Sequence, residues 1–162
     1  MKLIKNKSLS INNGIEIGLN FIPFAVLIID KNLKILFVNN NAEELFSLNK
    51  EKLLNINLKE LLSEGSAIID FIHRSKLNKI SFFDENLVVS GPELKKIKVF
   101  ASISNIDIES NQNQILILNE RTNVNKGLNE DDLSLSLQSV SKLSAIISHE
   151  IKNPLSGIKG GA

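Results

Sequence analysis

A chain of 162 residues is long enough for one domain with a real core plus an appended element, and too short for most complete multi-domain enzymes. Its formal net charge of +1, with lysines and acids mixed along the sequence, creates no basic field of the kind that nucleic acid or an anionic membrane surface selects. The absence of cysteine excludes a disulfide framework, a thiolate nucleophile, Cys-ligated zinc and covalent flavin–cysteine chemistry.

The opening MKLIKNKSLS is basic, but no sustained apolar block or small-residue cleavage site follows it, so residues 1–14 read as a tail and not as a secretion signal. The most apolar run, FIPFAVLII at Phe21 to Ile29, is interrupted by Pro23 and closed by Asp30. That is far short of a bilayer crossing, and a cytoplasmic protein with no membrane partner is expected. From Ala25, AVLIID and LKILFVN are β-rich runs separated by Lys31-Asn32, a polar pair suited to a hairpin turn. The stretch NNAEELFSLNKEKLLNINLKELL then changes period. Ala42, Leu45 and Phe46, and later Leu58, Leu61 and Leu62, recur at helical spacing with asparagines between them, which predicts short helices. A longer helix is predicted from Ser66 to Leu77, where Ile68, Ile69 and Ile72 share a face.

KISFFDENLVV and LKKIKVFASISNID return to strand chemistry, joined through Ser90-Gly91-Pro92. In the second, Ile97, Val99, Ala101 and Ile103 alternate with Lys98, Ser102 and Ser104, which predicts one buried sheet face and one polar face. NQILILNER supplies a last strand, Gln114 to Asn119. The expected fold is α+β, with short helices flanking one five-stranded antiparallel sheet over residues 15–121.

Arg121 to Asp132 is polar and contains Gly127, so residues 122–129 read as a linker. Asn129 suits an N-cap, and Glu130, Asp131 and Asp132 place negative charge where a helix dipole favours it. Over residues 130–162, Leu133, Leu137, Val140, Ser144, Ile147 and Ile151 follow steps of four and three, the seam of a helix that packs along a partner helix.

On an ideal helix each residue turns about 100°, which places His149 roughly 160° from the centre of that seam, beside Lys152, Asn153 and Ser156. Pro154 has no N–H for the carbonyl of Glu150, so the helix is expected to bend just past the histidine. An imidazole with its ordinary pKa of about 6.5 is largely neutral at cellular pH and offers a free ring-nitrogen lone pair. A carboxylate that accepts the other nitrogen's proton makes that lone pair more basic, and Glu150 is the adjacent acid. Asn153, one turn on, can meet the histidine or a water beside it.

The string SHEIKNPLSGIKGGA, Ser148 to Ala162, resembles the H-box of sensor histidine kinases, with the HExxN-Pro-Leu pattern at His149, Glu150, Asn153, Pro154 and Leu155. Its GIKGGA continuation is similar to the nitrogen-regulation (NtrB-type) kinases. Upstream, IPFAVLIIDKNLKILFVNNNAEELF resembles the start of a PAS sensor domain, and ILNERT resembles the strand exit that leads into a signalling helix. The resemblance implies that His149 accepts phosphate from ATP and passes it to a response regulator receiver domain. It implies that Glu150 is the base and that Asn153 orients water when the regulator is dephosphorylated. It also implies a homodimer built on helical hairpins, nitrogen control as output, and a nitrogen-signalling regulatory protein as a further partner. The family continues into a second bundle helix and an ATP-binding domain, whereas this sequence ends at Ala162 and carries no Gly-rich phosphate lid. The expectation is an acceptor site without its catalyst, the sequence of a truncated or partial kinase.

Three further readings accompany this one. HExx also occurs in zinc proteases, but the second ligand would have to be His at 153, where this chain has Asn153, so no metal site is expected. His73 invites a haem-ligand guess, yet within HRSK it is expected to be exposed. No aromatic cage or anion pocket is legible, so the sensor domain's ligand is unassigned and an unliganded relay and dimerisation role is expected. The rival from another class is a non-enzymatic PAS ligand-binding or dimerisation module.

Overall fold

The computed structural model describes residues 13–54, 56–78, 83–108 and 111–121. In chain order these form α1 (Asn13–Asn20), β1 (Ala25–Ile29), β2 (Ile35–Val38), α2 (Asn40–Phe46), α3 (Lys50–Leu54), α4 (Leu58–Leu61), α5 (Ala67–Asn78), β3 (Phe83–Gly91), β4 (Leu94–Ile108) and β5 (Asn111–Glu120). The strands make one antiparallel sheet in the order β2-β1-β5-β4-β3. The last strand therefore lies in the middle, where it zips the β1–β2 hairpin to the β3–β4 hairpin. This is the five-stranded α+β arrangement that the apolar patterning predicts. The helix seam of residues 130–162, with His149, Glu150 and Asn153, lies outside the described residues.

Helices α2 to α5 cover the inner face of the sheet. Phe46, Leu53, Leu58, Ile68, Phe71 and Ile72 meet Leu27, Ile29, Val99, Ala101, Ile103 and Leu116 in one buried cluster. Each of these large side chains contributes about 1.5–3 kcal/mol relative to exposure. The predicted face of the longest helix holds, with Ile68 and Ile72 fully buried and Ile69 packed at the margin.

The expectation of a single buried face is corrected by the structure. Leu19 and Ile22, in and just after α1, join Val26, Ile28, Phe37, Ile106, Ile115 and Ile117 in a second cluster on the outer face. Ser102 and Ser104, read as solvent-facing, are buried at 3% and 4% exposure, while Lys98 is exposed. The reading assigned no element before Ala25, because an eight-residue helix with alternating polar and apolar residues carries little periodic signal. Its covering role explains why all five residues of β1 are buried.

The β1–β2 turn also differs from the two-residue turn that Lys31-Asn32 suggests. The Asp30 N–H donates to Lys34 O (3.0 Å) and the Leu33 N–H to Asp30 O (3.0 Å), so the loop is Lys31, Asn32 and Leu33. Asp30 Oδ1 accepts from the N–H groups of Asn32 (2.8 Å) and Lys34 (2.9 Å). Leu33 closes the turn at φ 68°, the left-handed position of a three-residue hairpin that glycine normally fills. A leucine there is held by burial, at 2% exposure, and by its carbonyl, which accepts from Leu58 N–H at 2.9 Å.

Helix α2 ends on another left-handed residue, Ser47 at φ 53°, whose N–H bonds to the carbonyls of Glu43 and Glu44. Ser47 is exposed, so no buried contact repays the conformation. Ser47→Gly is expected to stabilise the domain by about 0.5–1 kcal/mol, read as a rise in the thermal midpoint. An unchanged or lowered midpoint would show that the serine side chain contributes here.

Candidate functional site

The junction between the two faces is built by three consecutive asparagines after β2. Asn39 is 1% exposed, and its side chain makes four hydrogen bonds. Its Oδ1 accepts from Val26 N–H (2.9 Å) and Ala42 N–H (3.0 Å), the second being the N-cap bond of α2. Its Nδ2 donates to Leu19 O (2.8 Å) and Phe24 O (2.9 Å). The full capacity of one amide is thus used. The Asn40 N–H donates to Asn20 Oδ1 (2.9 Å), and Asn41 Nδ2 donates to Ile22 O. The end of α1 and the residues after it are latched in this way to the start of α2. In the first turn of α1 Glu16 pairs with Lys50 at 2.8 Å, a part-buried contact still open enough to solvent to add little on its own. The Lys50 Nζ also sits 5.8 Å from the Phe37 ring centroid.

A second polar group lies inside, under α5. Gln114, 1% exposed at the start of the inner row of β5, donates through Nε2 to Asn105 Oδ1 (2.9 Å), with Ser75 Oγ at 3.4 Å. Its Oε1 and the Ser66 Oγ are buried acceptors without a partner among the described residues. A buried unpaired amide oxygen costs about 1–3 kcal/mol, so this end of the core is less settled than the asparagine junction. Next to it, Lys76 Nζ donates to Lys31 O (2.8 Å). Burial lowers the Lys76 pKa below the usual lysine value, and Asp30 partly offsets that. A lowered lysine pKa means that charging the group opposes folding, so this small penalty fades as pH rises through the folded value.

His73, the haem-ligand guess, is exposed on α5, as its polar context predicts. Its neighbour Arg74 pairs with Glu85 of β3. At the sheet's exit Arg121 N–H continues the ladder to Lys98 O (2.7 Å), and its guanidinium donates to Asn86 Oδ1 of β3 (2.7 Å). The strand-exit motif is therefore clamped across the outer face.

Of the residues that matter here, the reading singled out neither Asn39 nor Gln114. For Asn39 a signal exists: an asparagine between a strand and an apolar-periodic helix is an N-cap position. Nothing in the string predicts that the same amide reaches back to Leu19 and Phe24. Gln114 reads as an ordinary strand residue in the sequence, and only its register opposite Asn105 and Ile29 shows it facing α5.

Residues 16–79 match the family model of the PAS fold. Among solved structures, the PAS domain of nitrogen regulation protein NR(II) from Vibrio parahaemolyticus superposes with a TM-score of 0.59 over 66% of this chain and 97% of that one. At 18% identity this likeness speaks for the fold. Sheet order, helical cover and matched segment together define a PAS domain. The sensory histidine kinase/phosphatase NtrB of Azospirillum brasilense is 31% identical over 147 residues, which is 91% of this chain and 36% of that protein. Its namesake in Rhizobium meliloti is 26% identical over 144 residues, 89% of this chain and 38% of that protein. Over most of its length the chain is similar to these NtrB sensory histidine kinases/phosphatases, and it spans little more than a third of their own length.

Among the described residues no helix is long and apolar enough to cross a membrane.

Proposed function

We propose that the chain is the sensor and phosphoacceptor portion of a two-component histidine kinase of nitrogen regulation, with the PAS domain feeding the helix that carries His149. A ring nitrogen of His149 attacks the γ-phosphorus of ATP held by a separate domain, ADP leaves, and Glu150 takes the imidazole proton. The phosphoryl group then passes to an aspartate of a response regulator receiver domain, and Asn153 positions water for the reverse, dephosphorylating role. The acceptor works within a homodimer, and a nitrogen-signalling regulatory protein sets the balance. The observation that carries this reading is the extent of the relationship to the Azospirillum protein: 147 aligned residues cannot fit within residues 1–121, so the likeness continues past the PAS domain toward the H-box.

The test is phosphotransfer in trans. Mixed with the ATP-binding domain of a related kinase and γ-labelled ATP, the chain is expected to acquire label that is stable to alkali and lost in acid, and His149→Gln is expected to remove it entirely. Equal labelling of the variant would overturn the acceptor assignment. No labelling of either would favour a binding and dimerisation module.

A further inference from the structure

The sheet ends in two edges, and they are unlike. Strand β2 is short, Ile35–Val38. Strand β3 is nine residues long and, among the described residues, pairs on one side only, with β4. The direction of its backbone groups follows from two contacts. Lys98 O accepts from Arg121 N–H, so Lys98 faces β5, and its opposite residue Val88 must face away from β4. Ser90, two residues on, confirms the parity, since its carbonyl points outward and accepts from Ser63 N–H at 2.9 Å. By the same alternation Asn86 presents its N–H and C=O to the open edge, and among the described residues nothing meets the backbone of Asn86 or Val88 there.

Natural edge strands are blunted by charged side chains, lysine above all, by proline, a bulge, an inward-pointing charge or a covering element; the charges on this edge are Asp84 and Glu85. Residues 84–88, Asp-Glu-Asn-Leu-Val, contain neither lysine nor proline, and the one register irregularity in the pairing lies beyond them, between Val89 and Gly91. Glu85 is engaged by Arg74. Val88 is 43% exposed on the outer face.

We propose that this edge of β3 pairs antiparallel with β3 of a second copy about a two-fold axis at Asn86, joining two five-stranded sheets into one. Antiparallel pairing is self-complementary, as a two-fold interface requires. With Asn86 opposite itself, Asp84 stands opposite Val88 and Glu85 opposite Leu87, so no acid faces an acid.

The chain lacks cysteine, which makes the test direct. In the full chain the amides of Asn86 and Val88 are expected to exchange hydrogen at least tenfold more slowly than open-chain amides. Mild oxidation of Asn86→Cys is expected to give a disulfide dimer that Glu93→Cys, at the hairpin tip, does not give. The proposal is overturned if Asn86 and Val88 exchange at the open-chain rate at every protein concentration while Leu87 and Val89 stay protected. Equal cross-linking at positions 86 and 93 overturns it too. Neither readout depends on phosphorylation of His149, so the two readings fail separately.

Discussion

Asn39→Ala is expected to destabilise the domain by about 3–4 kcal/mol, the largest effect of any single polar substitution among the described residues. The change removes the N-cap acceptor of α2, worth about 1 kcal/mol. It also strands the carbonyl of Leu19 and the N–H of Val26 in a buried region, and the part-buried carbonyl of Phe24 beside them. The four bonds are not additive, since a relaxed loop recovers some of them, which keeps the total below the sum. The loss is read from urea or thermal unfolding, and hydrogen exchange should show α1 loosening first, because one of the bonds holds Leu19 in its last turn and another holds Phe24 just beyond it.

The informative companion is Asn39→Asp, which keeps the shape and the two acceptor bonds but replaces the donor by a second oxygen facing two carbonyls. That site favours a protonated acid, so the folded pKa of the new group is raised above its unfolded value. The stabilisation is therefore present below the unfolded pKa and lost as pH rises through the folded one. The variant should approach the parent at acid pH and fall away toward neutrality. A stability difference independent of pH would remove the donor role assigned to Nδ2.

Gly91→Ala is expected to cost about 3 kcal/mol. A Cβ at this position would lie 2.2 Å from the carbonyl oxygen of Leu61 and 3.1 Å from Leu94 Cδ1. The obstacle is backbone, not the end of a flexible side chain, so α4 and the β3–β4 hairpin would have to separate. The adjacent Ser63–Ser90 bond would go with them. Gly65→Ala is the control. Gly65 has φ +76° with nothing within 4 Å of the added carbon, so only the left-handed backbone is penalised, by about 1 kcal/mol. If the two variants melt together, close approach is not what position 91 requires.

The gap between reading and structure has a consistent cause. Patterns with a period of two or 3.6 are local, and they placed all five strands and the buried side of α5. Leu33 shows what they miss. A leucine in a left-handed turn contradicts local preference, and only its burial and the Leu58 N–H across the fold sustain it. Ser102 and Ser104 show the same limit from the other side, because serines on an alternating strand read as solvent-facing, whereas the outer face of the folded sheet buries them. His149, Glu150 and Asn153 form a motif legible in the sequence alone, and they lie outside the described residues.

By itself, then, the sequence determined the α+β class, the number of strands and the inner core, since each is written in residue types a few positions apart. The tertiary structure alone decided that the last strand sits centrally, that both faces of the sheet are covered, and that Asn39 joins α1 to α2. It likewise decided that, among the described residues, β3 is left with an open edge. These are pairings between segments 15 to 90 residues apart, and their free energy arises only when the chain closes on itself, where no local pattern can record it.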